Sequence, residues 1–153
     1  MLVYRIADRK YINDLSGTGA AMYGGRWNSK NTYMLYTAES PALALLETVV
    51  HLGKIPVKGF CMATIDIPED KIQTFKSHDL PSDWIKNPAP DYLKTIGDYF
   101  VRTNKYLALK IPSVIIPEEH NYLLNPDFPE FNKVKIINSR EVRIDERLLF
   151  TKL

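Results

Sequence analysis

The stretch that most constrains the fold is residues 40–53, where residue types mark both ends of a helix. Ser40 is a good N-cap and Pro41 suits the first helical position. The pattern therefore predicts a helix from Pro41 to about Leu52, with Gly53 at the position that follows it. Apolar residues cover most of the circumference between these ends. A helix of this kind is expected to be buried nearly all round.

A carboxylate, that of Glu47, lies inside this apolar helix. Burying an ionised carboxylate without a partner raises its pKa or costs folding free energy. We therefore expect Glu47 to meet an arginine, with Arg5 and Arg26 as candidates, or a hydroxyl group of a ligand. The alternative is a structural ion pair with no further role. His51 lies one turn later on the same helix face, either as a second partner of Glu47 or as a core histidine.

The second informative stretch is the pentapeptide Gly24-Gly25-Arg26-Trp27-Asn28. Consecutive glycines allow a positive φ or a close approach of the backbone to a ligand. The arginine has a planar fork of donors that matches a pyrophosphate or a carboxylate, and the tryptophan provides an apolar anchor. A tight turn with a surface arginine and a core tryptophan explains the same residues. The pentapeptide alone does not decide between these interpretations.

The rest of the chain mixes strands and helices without a regular βαβ repeat. Strands are expected at residues 1–7, 33–38, 59–68, 107–116, 134–137 and 142–145, and a second helix at 92–104. Loops are expected at residues 10–28, 69–90 and 117–131. This order predicts an α+β (mixed α/β) fold, in a single compact domain that spans residues 1–153.

Composition and charge argue against several classes of protein. A formal net charge of +2 is too small to argue for nucleic-acid binding. No apolar run approaches the ~20 residues of a membrane span, and the N-terminus lacks a signal-peptide pattern, so we expect a cytoplasmic protein without membrane contact. Cys61 stands alone in an apolar run, where a buried thiol is expected. The scattered His51, His78 and His120 give no metal-ligand spacing, so no metal is predicted.

A set of motifs is spread over nearly the whole chain: Tyr4-Arg5, Gly24-Gly25-Arg26-Trp27-Asn28, Tyr36-Thr37-Ala38, Leu46-Glu47, His51, Pro112-Ser113, Asn121-Tyr122-Leu123-Leu124-Asn125-Pro126 and Asp145-Glu146-Arg147-Leu148. In their order and spacing these motifs resemble the RES domain, a family named for its Arg, Glu and Ser. Asn31 stands where the family often has glycine. Asparagine tolerates the left-handed conformation, so this departure matters little.

The resemblance implies a fold similar to that of the ADP-ribosyltransferase toxins, with a split sheet core and flanking helices. It implies the toxin of a bacterial toxin–antitoxin pair, whose antitoxin is a small protein with an Xre-like helix-turn-helix domain. RES proteins consume NAD as a substrate rather than holding it as a cofactor. Some members degrade NAD, and others ADP-ribosylate a protein. A homodimer is also implied, with DNA contacted only through the antitoxin.

The resemblance also implies roles for individual residues. It places Glu47, Arg26 and Ser113 in the catalytic core. Substrate-binding roles are expected for Arg5, Tyr36, Tyr4, His51 and Asn121.

These residue types suit cleavage of the bond between nicotinamide and ribose, which passes through an oxocarbenium-like state. A carboxylate such as Glu47 holds the ribose hydroxyls and stabilises the developing positive charge. Arg5 and Arg26 offer forked donors to the pyrophosphate. Tyr36 offers an aromatic face to the nicotinamide, and Ser113 a hydroxyl to its ribose or carboxamide.

Three functions remain open at this point: an NAD-degrading toxin, an ADP-ribosyltransferase that modifies a protein, and a non-catalytic module that binds nucleic acid or a protein. The carboxylate in an apolar helix and the small net charge weigh against the third. The first two share one site. The sequence does not determine whether the acceptor of ADP-ribose is water, phosphate or a protein.

Overall fold

A computed structural model describes residues 1–52 and 58–149, in which seven strands form one sheet. The strands are β1 (Leu2–Asp8), β2 (Leu35–Ala38), β3 (Phe60–Asp66), β4 (Ile72–Thr74), β5 (Ala108–Pro112), β6 (His120–Leu124) and β7 (Lys135–Glu141). The α-helices are α1 (Thr18–Tyr23), α2 (Pro41–Leu52) and α3 (Tyr92–Thr103), and short 3-10 helices lie at Ser77–Asp79, Phe131–Lys133 and Glu146–Leu149. The strand order is β4-β5-β6-β2-β1-β3-β7, with β4 and β5 parallel, which confirms the predicted mixed α/β fold.

The sheet has two halves that meet at a narrow junction. Strand β1 pairs with β3 along its whole length, from Leu2 to Asp8, and β2 pairs with β6 from Leu35 to Ala38. Between β1 and β2, by contrast, the register joins Tyr4 to Ala38 alone. A four-stranded half and a three-stranded half therefore separate next to this pair, in agreement with the expected split-sheet core.

Helix α2 begins and ends where the sequence predicted. The Leu43 backbone N–H donates to the Ser40 hydroxyl at 3.0 Å, so Ser40 is the N-cap. Gly53 lies outside the described residues. The expectation that the helix is buried nearly all round is wrong: Leu43 is buried, but Val50 is 58% exposed. The reason is that α2 packs against β1 and β2 along one side.

Several predicted loops contain regular structure. Residues 10–28 include α1, which follows Gly17 in the left-handed conformation, with φ of 73°. Residues 69–90 include β4, and residues 117–131 include β6. Strand β6 begins with polar residues, and its strand conformation depends on pairing with both β2 and β5.

The C-terminal strands were predicted as two short segments, residues 134–137 and 142–145. The structure has one strand, β7, between them and overlapping the first. Its side chains are mostly exposed because β7 is an edge strand that pairs with β3, so polar residues such as Asn138 and Ser139 fit there. A hydrophobic pattern does not reveal a strand that lies largely in solvent.

The core on the α3 side of the sheet fixes the Arg26 segment. Trp27 is 3% exposed and lies with its ring centroid 6.5 Å from that of Trp84. A Cβ added to Gly97 of α3 would overlap the Trp27 carbonyl oxygen, so α3 crosses directly over this turn. Cys61 is buried, as predicted. No described helix combines the length and the apolar character that a bilayer crossing requires.

Candidate active site

A cavity of about 690 Å³ opens where the two halves of the sheet separate. Strands β1 and β2, helix α2 and the glycine-rich turn form its walls. Its volume lies in the range of about 300–1,000 Å³ that is usual for small-molecule sites. The predicted site residues that line it are Tyr4, Arg5, Arg26, Tyr36, Glu47, His51 and Asn121.

Glu47 is fixed by two hydrogen bonds to the same carboxylate oxygen. Its Oε1 accepts from the Ser113 hydroxyl at 2.8 Å and from the Asn121 side-chain amide at 2.6 Å. The other oxygen, Oε2, has no protein partner within the described part of the chain. Of the two expected kinds of partner, the arginine is not found: neither Arg5 nor Arg26 pairs with Glu47, and two neutral donors compensate the partly buried carboxylate instead. Glu47 thus keeps one oxygen for a ligand.

Ser113 is fully buried and its hydroxyl makes as many hydrogen bonds as it can. It donates to Glu47 and accepts from the backbone N–H groups of Ile115, at 3.0 Å, and Ile116, at 3.2 Å. A hydroxyl has one hydrogen and two lone pairs, so none is left for a ligand. The expected direct contact of Ser113 with a ribose or carboxamide is therefore not available in this arrangement. Its side chain holds Glu47 in place.

The glycine-rich turn needs its second glycine because of a close approach. A Cβ on Gly25 would lie 2.6 Å from the Tyr36 hydroxyl oxygen. Gly24 takes a positive φ of 71°, and the Gly25 N–H donates to the Asn28 carbonyl at 2.9 Å. The turn therefore carries Arg26 on a backbone that only glycines at these two positions allow.

The guanidinium of Arg26 spans the cavity wall to a distant loop. Its Nη1 donates to the carbonyl oxygens of Trp84 and Lys86, both at 3.0 Å. Burial lowers the pKa of Arg26, and the negative charge of Glu47 opposes this shift. Its Nε and Nη2 make no hydrogen bond to residues 1–52 or 58–149. Arg26 is thus both a structural link and a source of unused donors.

Arg5 of β1, like Arg26, combines structural hydrogen bonds with unused donors. Its Nη1 donates to the carbonyl oxygens of Tyr11, Ile12 and Asp14, at 3.0, 3.1 and 2.9 Å. Burial lowers the pKa of Arg5, and the charge of Asp14 opposes this shift. The remaining guanidinium nitrogens have no partner in the described residues. The cavity is therefore lined by two arginines, each held by one nitrogen.

Asn28 and Tyr36 hold the turn together, and sequence reasoning gave Asn28 no role of its own. Asn28 is completely buried and donates to the carbonyl oxygens of Ala20, Ser29 and Thr32. The Tyr36 hydroxyl donates to Asn28 Oδ1 at 2.7 Å and accepts from the Trp27 N–H at 3.2 Å. Burial raises the pKa of Tyr36. The sequence signal for such a turn is an asparagine three residues after a glycine pair.

Asp98 of α3 adds a further support that the sequence did not indicate. Its carboxylate accepts from the Ser29 N–H at 2.9 Å and from the Ser29 hydroxyl at 2.6 Å. The turn that carries Arg26 is thereby attached to α3 immediately after Asn28. Tyr4 and His51 complete the cavity wall from β1 and from the last turn of α2.

Comparison with known proteins identifies the family of this chain. The RES domain profile matches residues 2–147. A Toxin Res of Photorhabdus laumondii is 36% identical over 155 residues, covering 99% of each chain. A Toxin Res of Yersinia enterocolitica is 38% identical over 133 residues, covering 86% of this chain and 88% of its own.

Two further comparisons extend this result. A Sphingobium protein named Prs ADP-ribosylating toxin is 36% identical over 142 residues, covering 90% of this chain and 88% of its own. The crystal structure of the M. tuberculosis MbcT–MbcA toxin–antitoxin complex contains a chain with a TM-score of 0.77 and 16% identity, covering 92% of this chain and 83% of that chain. The second comparison shows a shared fold. Together with the profile match and the Res relatives, these findings establish that the chain belongs to the RES domain family.

Proposed function

We propose that this protein is the toxin of a toxin–antitoxin system and that it depletes NAD by cleaving the bond between nicotinamide and ribose. The observation that carries the proposal is the arrangement of Glu47. One carboxylate oxygen is fixed by Ser113 and Asn121, and the other is unpaired within the described residues in a side chain that lines the cavity. A fixed carboxylate with one available oxygen is what a developing cationic sugar requires.

The bond to be broken joins the ribose anomeric carbon to the nicotinamide nitrogen. Its electron pair leaves with nicotinamide, which departs neutral and needs no proton, while positive charge develops on the ribose ring. Glu47 Oε2 accepts hydrogen bonds from the ribose hydroxyls and stabilises this charge. Because Ser113 and Asn121 hold the carboxylate beforehand, little reorganisation is needed during the reaction.

The arginines provide the complementary half of the site. The unused donors of Arg5 and Arg26 bind the two negatively charged phosphates, for which a planar fork is well suited. Tyr36 lines the same cavity, and its ring packs against the nicotinamide. NAD is therefore a substrate in this proposal, and no cofactor is invoked.

The acceptor of ADP-ribose distinguishes two versions of the reaction. In the first, water or phosphate attacks the anomeric carbon and releases ADP-ribose or its phosphate. In the second, a protein side chain attacks and becomes ADP-ribosylated. The second version is supported by the Sphingobium relative, which is named an ADP-ribosylating toxin and is 36% identical over 90% of this chain.

The test is incubation of the purified protein with NAD alone, with and without inorganic phosphate. Chromatography then measures nicotinamide, ADP-ribose and any phosphorylated ADP-ribose. Release of nicotinamide with soluble ADP-ribose supports the first version. Release that requires added cell extract, with label from NAD on a protein, supports the second. If nicotinamide is released neither by the purified protein alone nor after addition of cell extract, a non-catalytic binding module is the better account.

The partner is proposed to be an antitoxin with an Xre-like helix-turn-helix domain, through which DNA is contacted indirectly. The fold neighbour was solved as a toxin–antitoxin complex, which supports an antitoxin of some kind. We also propose a homodimer acting in the cytoplasm. Production of the protein without its antitoxin should slow growth while cellular NAD falls. An antitoxin segment that occupies the cavity should inhibit competitively, so that more NAD weakens the inhibition.

A further inference from the structure

The loop at Trp84–Asn87 forms part of the cavity wall, although it lies about sixty residues after Arg26 in the chain. Trp84 is 5% exposed and lies beside Trp27 in the core. Arg26 Nη1 donates to the carbonyl oxygens of Trp84 and Lys86. The loop is therefore attached to the glycine-rich turn by an aromatic contact and by two hydrogen bonds.

The same loop is also fixed at its base. The Lys86 N–H donates to the Asp83 carbonyl oxygen at 3.0 Å. The Asp83 carboxylate accepts a hydrogen bond from the hydroxyl of Tyr92, the first residue of α3. These contacts hold the residues just before Asn87, so less backbone freedom is lost when this loop binds a ligand.

Asn87 is the residue that this loop contributes to the cavity. Its backbone directly follows Lys86, whose carbonyl Arg26 holds, so Asn87 lies next to the Arg26 guanidinium. Its side chain is exposed and makes no hydrogen bond within residues 1–52 and 58–149. A carboxamide has two donors and one acceptor, all of which are available here. Neither the sequence motifs nor the Glu47 arrangement assigns it a role.

We propose that Asn87 is a substrate-binding residue, held in place by the link between Arg26 and its loop. Its amide donates to a phosphate or ribose oxygen next to the group that Arg26 binds. This inference rests on the proposed function, since NAD is the ligand concerned. Asn87 makes no hydrogen bond to Glu47, Ser113 or Asn121 in the described residues, so its contact with the ligand should contribute to affinity rather than to bond cleavage.

The experiment compares Asn87→Ala, Asn87→Asp and the control Asn132→Ala in NAD turnover. Asn132 is exposed in the 3-10 helix Phe131–Lys133, outside the cavity. Loss of one hydrogen bond to a charged group should raise KM for NAD about tenfold in Asn87→Ala, with kcat changed less than about twofold. Asn87→Asp should raise KM further because its charge repels the phosphates. The control should match the wild type.

Thermal melting and direct NAD binding are measured alongside turnover. Thermal melting establishes that the variants are folded, and Asn87→Asp, which keeps the shape of the side chain, replaces Asn87→Ala if the latter unfolds. NAD binding is measured directly through tryptophan fluorescence. A folded variant at Asn87 with wild-type KM and Kd, or with a fall in kcat alone, overturns the inference. If the wild type binds NAD without cleaving it and Asn87→Ala binds about tenfold more weakly, the inference stands and the proposed catalysis fails. If the wild type does not bind NAD, both fail.

Discussion

Replacing Ser113 by alanine removes the hydroxyl that holds Glu47 and should reduce both stability and turnover. The hydroxyl donates to Glu47 Oε1 at 2.8 Å and accepts from the N–H groups of Ile115 and Ile116. Since the side chain is completely buried, water does not replace it without a change in the surroundings. The substitution therefore takes one donor from Glu47 and leaves two backbone donors without their acceptor.

The magnitude follows from these three hydrogen bonds. A buried polar group left without a partner costs about 1–3 kcal/mol, so two backbone donors that relax in part should cost about 2–4 kcal/mol of unfolding free energy. For a domain of this size, that corresponds to a fall in Tm of about 5–15 °C. Glu47 keeps the Asn121 amide as a donor but loses its fixed orientation. We expect kcat for NAD to fall about 10- to 100-fold, with a smaller change in KM.

The assay combines thermal melting with nicotinamide release at several NAD concentrations. Asn121→Ala provides the matched comparison, because it removes the other donor to Glu47 without touching a backbone hydrogen bond. It should lower kcat with a smaller loss of Tm than Ser113→Ala. Ser139→Ala, at an exposed position of β7, should leave both quantities unchanged. A Ser113→Ala protein with wild-type Tm and turnover would refute the assignment of Ser113 as the residue that holds Glu47.

Three further predictions follow from the turn that carries Arg26. Gly25→Ala should lower Tm and weaken NAD binding, since the added Cβ lies 2.6 Å from the Tyr36 hydroxyl oxygen. The control Gly19→Ala should be neutral, because nothing lies within 4 Å of a Cβ added there. Equal melting temperatures of the two variants would contradict this prediction. Arg26→Lys should raise KM for NAD, because one ammonium group cannot both hold the two loop carbonyls and offer a planar pair of donors to a phosphate. Unchanged kinetics would identify Arg26 as an ordinary turn residue. Burial raises the pKa of Tyr36 above its ordinary value of 10.0, so its contribution to stability is present below that pH and is lost as the pH rises further. A tyrosinate absorbance titration should show one fewer late-ionising group in Tyr36→Phe, and an identical titration curve would argue against the buried phenol.

Local signals explain which elements the sequence predicted correctly. Helix α2 was located because the residue types that mark its two ends, Ser40 with Pro41 and then Gly53, lie within fourteen residues of sequence. The partners of Glu47 could not be located by such signals, since Ser113 and Asn121 lie 66 and 74 residues further along the chain. The family resemblance brought all three residues to attention, but it did not indicate that Ser113 is enclosed and acts on Glu47 instead of facing a ligand.

Tertiary context explains the elements that were missed. Strand β6 begins with His120 and Asn121, which are typical of a loop, and becomes a strand because β2 and β5 pair with it on both sides. Asn28 gave no periodic signal because its role is to satisfy carbonyl groups inside a turn. Likewise, the proline-rich stretch that contains Trp84 and Asn87 gave no indication that Arg26 attaches it to the cavity.

The central claim, that Glu47 is the catalytic carboxylate of an NAD-cleaving site, is tested most directly by nicotinamide release from NAD in the wild type and in Glu47→Gln. A glutamine keeps a carbonyl oxygen that accepts from Ser113 and Asn121, so the substitution removes the negative charge while preserving the fold. The account predicts that the wild type releases nicotinamide and that Glu47→Gln melts within about 2 °C of it while turning over at least about 100-fold more slowly. Wild-type turnover by a folded Glu47→Gln protein, or no release of nicotinamide by the wild type, would contradict it.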